Sequence, residues 1–169
     1  MAYSSYQTVK GSDIMLFTYQ SNGYKSIAHG TSHSLSLSAD TEDINDKDAG
    51  IYGKTEVNKI NWSITADHLY TTADYDKLFQ TMTYMKPITV VFGLKADAEI
   101  GGTPADVNID SAGYWTSNTS YIYGGKAIIT SLDWQADAGS RSTISVTLQG
   151  QGGITKGTPS TNIAFPTTA

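Results

Sequence analysis

The sequence predicts a β-sandwich or barrel of antiparallel strands with one α-helix docked against it. Apolar and polar residues alternate with period two in four separate segments, the composition suits strands, and one stretch switches to the helical period. The 169-residue chain holds 18 Ser, 22 Thr, 16 Gly and 11 Tyr, while charged residues make up only 16%. Hydroxyl-bearing and aromatic side chains fit a pleated, half-buried surface, and the hydroxyls supply most of the polarity. A chain this long makes one domain, spanning 1–169, and buries about two-thirds of its unfolded surface without a staple.

The first strand is expected at 14–19, an apolar run after a polar start. Leu35 and Leu37 alternate with Ser34, Ser36 and Ser38. In 60–66, Ile60, Trp62, Ile64 and Ala66 share one parity, with Asn61, Ser63 and Thr65 on the other. From 72 to 85 the apolar residues Tyr75, Leu78, Phe79, Met82 and Met85 form one helical stripe, read as the docking face of an amphipathic helix. Thr71 with Asp74 predicts a capping box, Asp74 and Asp76 suit the positive end of the dipole, and Pro87 sets the stop. A strand at 88–94 follows, since proline is tolerated at a strand's first residue. Ile128, Leu132, Trp134 and Ala136 then share a parity with Thr130 as its polar exception, and Ile144, Val146 and Leu148 alternate with Ser145 and Thr147. Trp62 and Trp134, in register with core aliphatics, are expected to be buried.

Three stretches carry no period. Residues 40–53 hold five acids against one lysine; 96–113 is polar with Gly-Gly and Pro; 150–169 is rich in Gly, Thr and Pro and reads as a terminal arm. The first ten residues form a similar arm with Tyr3, Tyr6 and Val9 as anchors.

Chemistry finds little to work with. There is no cysteine, which removes disulfides, thiolate metal sites and cysteine nucleophiles. A net charge of −5 has the wrong sign for a surface that grips phosphate backbones. No apolar run reaches the length of a membrane span, and no basic-then-apolar export signal opens the chain, so the expectation is a soluble protein that stays where it is made. His29 and His33 lie on one face of a strand-like run, about 13 Å apart, too far for one metal ion. The acidic loop fails the calcium-loop pattern whether counted from Asp43 or Asp46. Gly150, Gly152 and Gly153 follow a strand but precede no helix, so they cradle no phosphate. No serine nucleophile elbow exists. No catalytic residue, cofactor or metal is expected. Trp115, in a Gly/Ser/Thr loop, is the one residue suited to an exposed carbohydrate platform, which leaves a carbohydrate-binding sandwich as a rival reading. What remains is assembly, because unprotected strand edges are templates for another chain.

The order of the segments resembles the major tail proteins of bacteriophages, the tail tube subunits of long-tailed phages, over residues 10–153. The likeness starts at Lys10-Gly11-Ser12-Asp13-Ile14-Met15-Leu16-Phe17, similar to the family's K-G-x-D opening strand. It continues through the serine-alternating strand, the Lys47-Asp48-Ala49-Gly50 turn and the tryptophan-serine strand Asn61-Trp62-Ser63-Ile64. The helix and the strand at 87–93 come in the expected order. Tyr123-Gly124-Gly125-Lys126-Ala127-Ile128 and residues 144–152 resemble the closing hairpin. The segment 96–113 departs from the pattern, being longer and more polar.

The resemblance implies two packed antiparallel β-sheets with one flanking helix, shared with the type VI secretion tube protein. It implies that the chain joins copies of itself in hexameric rings, stacked into a hollow tube that delivers the genome. The tape measure protein, a tail terminator and distal tail or baseplate proteins are the further partners implied, and double-stranded DNA passes the lumen without tight binding. The place is the virion tail, after synthesis in the bacterial host cytoplasm. A tube subunit of a contractile tail or phage-derived injection device is the near alternative. Residues 40–53 are expected to contact the adjacent ring, with Ile44, Ile51 and Tyr52 buried there and Asp43, Asp46, Lys47 and Asp48 at its rim. Arms at 1–12 and 153–169, anchored by Tyr3, Tyr6, Val9, Ile163 and Phe165, are expected to order on assembly, and 96–113 is a polar surface loop.

Overall fold

The computed structural model of the chain describes residues 9, 11–20, 23–27, 30–48, 50–95, 117–159 and 162–165. A 3-10 turn, Gly11–Asp13, leads into β1 (Ile14–Gln20), which folds back as β2 (Gly23–Ser26). A long hairpin follows, β3 (Gly30–Asp43) and β4 (Thr55–Leu69), then the helix α1 (Thr72–Thr83) and β5 (Ile88–Lys95). The chain closes with β6 (Ser117–Gln135), β7 (Thr143–Gly150) and the short β8 (Thr155–Lys156). The fold is mostly β with antiparallel pairing and one helix, as expected from the sequence. Its two layers belong to one hydrogen-bonded sheet in the order β2-β1-β5-β6-β7-β4-β3, with β8 added on β6. The 19-residue β6 joins the layers: its first part pairs with β5 and its last part with β7.

Cross-strand rows explain the core. Leu35, Ile64, Leu148 and Ile129 lie opposite one another across β3, β4, β7 and β6, and Ala66, Val146 and Leu132 form the next row. Leu16 of β1, Ile88 and Val90 of β5, and Leu78 of α1 close over this face. Burial of such side chains, at about 1.5–3 kcal/mol each, is what holds the layers together. Asp13 also has a structural place: its carboxylate lies 3.3 Å from the Lys95 ammonium, both nearly buried. A second cluster (Phe17, Tyr24, Val91 and Ile122) packs on the opposite face of β1, β5 and β6.

Three sequence expectations shift. Residues 40–43 belong to β3, so the loop proper is 44–54. Thr71 does take the N-cap position, but its hydroxyl donates to the Asp74 carboxylate (2.7 Å) and accepts from no backbone amide of the first turn. The helix docks through Asp74, Leu78 and Thr81, turning Phe79, Met82 and Met85 outward. Segment 96–113, Trp115, His29, Tyr3 and Tyr6 lie outside the described residues.

Past the C-cap Tyr84, Met85 adopts φ 54°, the left-handed region that glycine fills at helix ends. A β-carbon there costs about 1 kcal/mol. Met85→Gly is therefore expected to raise the urea-unfolding free energy of the isolated subunit by about 0.5–1 kcal/mol. An unchanged or lower midpoint would show that no strain is stored there.

Candidate assembly surface

The face of the β3–β4–β7–β6 sheet opposite the core is a hydroxyl surface. One row reads Ser34, Thr65, Thr147, Ser131; the neighbouring row reads Ser32, Asp67, Ser145, Asp133. Period-two alternation puts every second side chain here, and in these strands the second residue is mostly Ser or Thr. The charges on it are few: Asp40 faces Lys59 and accepts from Asn61 Nδ2 at 3.0 Å, Glu42 faces Glu56 towards the hairpin tip, and Asp67 and Asp133 lie at the other end.

Both lateral edges of this four-stranded section are open among the described residues. β3 pairs only with β4 along its 14 residues, and β6 beyond Ala127 pairs only with β7. Neither stretch contains proline or lysine, the usual guards of an edge. The sequence carried this signal as the uninterrupted run GTSHSLSLSADTED, legible once β3 is known to be an edge.

The far half of the hairpin leaves the core behind. Leu37, Ala39 and Ile60 keep the parity of the buried residues but are exposed. A bulge at Asn58, between the pairs Asp40–Lys59 and Thr41–Val57, returns Val57 to the same side. The hairpin thus overhangs with an apolar underside.

At its tip, Asp43 closes the ladder opposite Thr55 and the Ile44 amide donates to the Lys54 carbonyl (3.0 Å). Asp46 accepts from the Asp48 amide (3.2 Å), shaping the turn, and Lys47 is exposed beside them. Ile51 and Tyr52 are 91% and 80% exposed and precede β4, so they do not begin the strand. The tip residues expected at an inter-ring contact are brought together here and face solvent.

The arm residues stand differently. Ile163 exchanges hydrogen bonds with Thr89, its amide to Oγ1 (2.8 Å) and its carbonyl from the Thr89 amide (3.0 Å). The Tyr24 hydroxyl donates to Asn162, and Phe165 packs on the main core cluster. These parts of the C-terminal arm dock on their own chain. Val9 is half-buried.

Trp134 is not buried as expected; it is 51% exposed. The polar exception at Thr130 is a β-bulge, between the pairs Ile129–Leu148 and Ser131–Thr147, which shifts the parity of β6. Trp134 does reach the core face, opposite Ile144, but at the rim. There it stacks on Tyr70 (centroids 4.4 Å, planes 5° apart) and leans on Tyr75 (5.0 Å), which in turn stacks on Phe79. Phe79 and Met82 are exposed beside it, so an aromatic cap projects from the end of β6 and α1.

His33 meets His68: their rings lie edge to face at 5.2 Å. Burial lowers the His33 pKa, against the opposing pull of Asp67. Among the described residues no three metal-ligating side chains gather.

Residues 8–156 match the family model described as phage tail tube protein. The chain belongs to the phage tail tube protein family. Its role is accordingly structural, as a component of a virion tail. The tail tube chain is similar in fold to a subunit of the native gene transfer agent virion, at 15% identity and TM-score 0.63, covering 89% of this chain and all of the other. A second likeness is to the tail of the empty gene transfer agent particle, refined with C6 symmetry, at 15% identity and TM-score 0.64 over the same shares. A third is to the SPP1 tail tube, at 12% identity and TM-score 0.63, covering 89% of this chain and 79% of that one. No curated protein sequence matches the chain. Shared architecture at such low identity locates the tail tube fold in the pattern of apolar rows and strand order, not in particular side chains.

Proposed function

We propose that the chain closes into rings by pairing the open edge of β3 in one copy with the open end of β6 in the next, and that the rings stack into a tube through which DNA passes. The observation that carries this reading is the open 14-residue edge of β3, matched at the other side of the same four strands by the free stretch of β6. Rotation about a ring axis preserves strand direction, and four alternating strands per copy make the junction antiparallel like the rest. Closure abolishes both edges. Six copies per ring fit the symmetry of the gene transfer agent tail.

The same closure gives one continuous inner wall. With the apolar face covered by α1 and the β1–β5 layer, the Ser/Thr face is the one left to line the bore. Hydroxyls and scattered aspartates offer a phosphate backbone no array of cations, so there is no counterion release to drive binding and DNA slides. The tip at Asp43, Ile44, Asp46, Lys47, Asp48, Ile51 and Tyr52 reaches the next ring. Tyr3, Tyr6 and Val9 supply an arm contact between copies, while Ile163 and Phe165 hold the second arm in place. The tape measure, terminator and distal tail proteins complete the tube's contents and ends, and assembly follows synthesis in the host cytoplasm.

Ser38→Pro and Ala39→Pro test edge pairing together. On neighbouring strand residues one amide points to β4 and the other outward, so one variant breaks the hairpin and the other removes only an outward donor. The variant that keeps the native melting temperature is expected to stay monomeric under negative-stain microscopy, where the native chain forms rings or tubes. Normal tubes from that variant, or a native chain that remains monomeric even when seeded with tail initiation complexes, would overturn the reading.

A further inference from the structure

The chain carries two exposed apolar surfaces that no part of the described chain covers. One is the hairpin underside (Leu37, Val57 and Ile60); the other is the aromatic cap (Trp134, Phe79 and Met82). They lie at opposite lateral edges of one sheet and about six rows apart along its strands: Leu37 is opposite Trp62, whereas Trp134 shares a row with Ile144, His68 and Gly30. Bringing them together sets the register of the junction, with residues 37–43 of one copy along 128–134 of the next. Cross-strand pairing fixes which side of the sheet they occupy. Leu37 is opposite Trp62, whose neighbour in parity Ile64 is opposite Leu148; Leu148 is opposite Ile129, and after the bulge Val146 and Ile144 are opposite Leu132 and Trp134. Both surfaces therefore share the core side, away from the hydroxyl face.

From this we infer that the aromatic cap of one copy is the seat for the hairpin underside of the next, with Trp134 as its anchor. The inference rests on the edge pairing proposed above and adds a contact that pairing alone does not specify. When β3 joins β6 of a neighbour, sheet faces stay continuous across the junction. Core-side residues of β3 then stand beside core-side residues of β6, as in any cross-strand row. The hairpin overhangs its own core, and the cap projects past its own; each supplies what the other lacks. Stacking on Tyr70 and Tyr75 holds the Trp134 ring in one orientation before the partner arrives, which lowers the ordering cost of the contact. Tryptophan at the centre of an apolar contact, ringed by weaker neighbours, is the usual composition of a binding hot spot. The second copy is the occupant that geometry favours, because apolar area of this extent on both edges of a self-pairing sheet is complementary head to tail.

Hydroxyl-radical footprinting of native monomers and native tubes, read residue by residue by mass spectrometry, tests the contact. Trp134, Phe79 and Met82 are expected to lose most of their reactivity on assembly, together with Leu37 and Ile60. Trp134→Ala is expected to raise the critical concentration for tubes about thirtyfold, and Leu37→Ser to raise it less, with the double variant doing no worse than Trp134→Ala. Leu37 has no part in the core, so its variant keeps the fold even if that of Trp134 loosens it. Tubes in which Trp134 reacts as fast as in monomers, or strictly additive effects of the two substitutions, would overturn this contact and leave edge pairing standing. Protection that appears only after another tail protein is added would assign the cap to that protein instead. A native chain that forms no tubes removes edge pairing, and this contact with it.

Discussion

Gly150→Ala is expected to destabilise the folded subunit by about 2–4 kcal/mol. Gly150 lies in the row Leu37, Trp62, Gly150, Ala127, where the indole fills the space left by the missing side chain. A β-carbon on Gly150 would sit 2.2 Å from Trp62 Cε2 and 2.4 Å from Cδ2 and Nε1. The ring cannot retreat. It is 2% exposed and its N–H donates to the Gly152 carbonyl at 3.0 Å. Relief requires moving the strand or giving up the buried hydrogen bond, and either costs kilocalories. Urea denaturation of the monomer measures the loss. In a Trp62→Leu background, Gly150→Ala should become nearly neutral, since the clash is gone. An equal penalty in both backgrounds would place the strain somewhere other than the indole.

Replacing residues 44–54 by Asn-Gly is expected to leave single rings and abolish long tubes. Asp43 and Thr55 are already a cross-strand pair, so a two-residue turn closes the hairpin without changing its register. Shortening the connection from eleven residues to two lowers its closure entropy by about 1.5 kcal/mol, so the monomer should be at least as stable as the native chain. What disappears is Ile44, Ile51 and Tyr52, apolar residues that the isolated subunit leaves in water. Burying each against another ring is worth about 1.5–3 kcal/mol, repeated for every copy around the ring. Negative-stain microscopy separates the outcomes: discrete rings support a stacking role for the tip, whereas tubes of native length would show that rings adhere elsewhere.

Much of this fold was legible because its strands are written in strict alternation. The rows through Ile64, Val146 and Leu148 follow directly from the spacing of apolar residues. Ile128 escaped to the hydroxyl face because a bulge is a one-residue event, whereas Trp134 keeps its core-side parity and is exposed because it stands at the rim. Thr130 looked like a polar lapse in a regular pattern, yet it is the residue that shifts the register, and local sequence carries no separate mark for it. The helix stripe was read correctly as apolar, and Leu78 and Tyr75 do turn to the core, but Phe79, Met82 and Met85 face outward. A stripe tells which side of a helix avoids water but not whether its own chain or another provides the cover. Asp74 and Thr81 share the inward side with Leu78, with Asp74 accepting from Thr71 and the Thr81 hydroxyl donating to the Lys77 carbonyl. The short β2 and β8 gave no periodic signal, being four and two residues long, and are fixed by pairing partners distant in sequence.

The assembly surface was only half legible for a related reason. The acidic tip announced itself through Ile51 and Tyr52, apolar residues in a charged segment. The β3 edge did not, because whether a strand is central or peripheral is a property of topology.

One feature of the layout bears on mechanics. β6 runs about 60 Å through both layers, bent at the Thr130 bulge, so one strand ties the two halves of each subunit together. A pipe made of such pieces has stiff bricks and compliant mortar. If rings stack through the hairpin tips as proposed, curvature would be absorbed there between tiers, and the bore would keep its diameter while its axis bends.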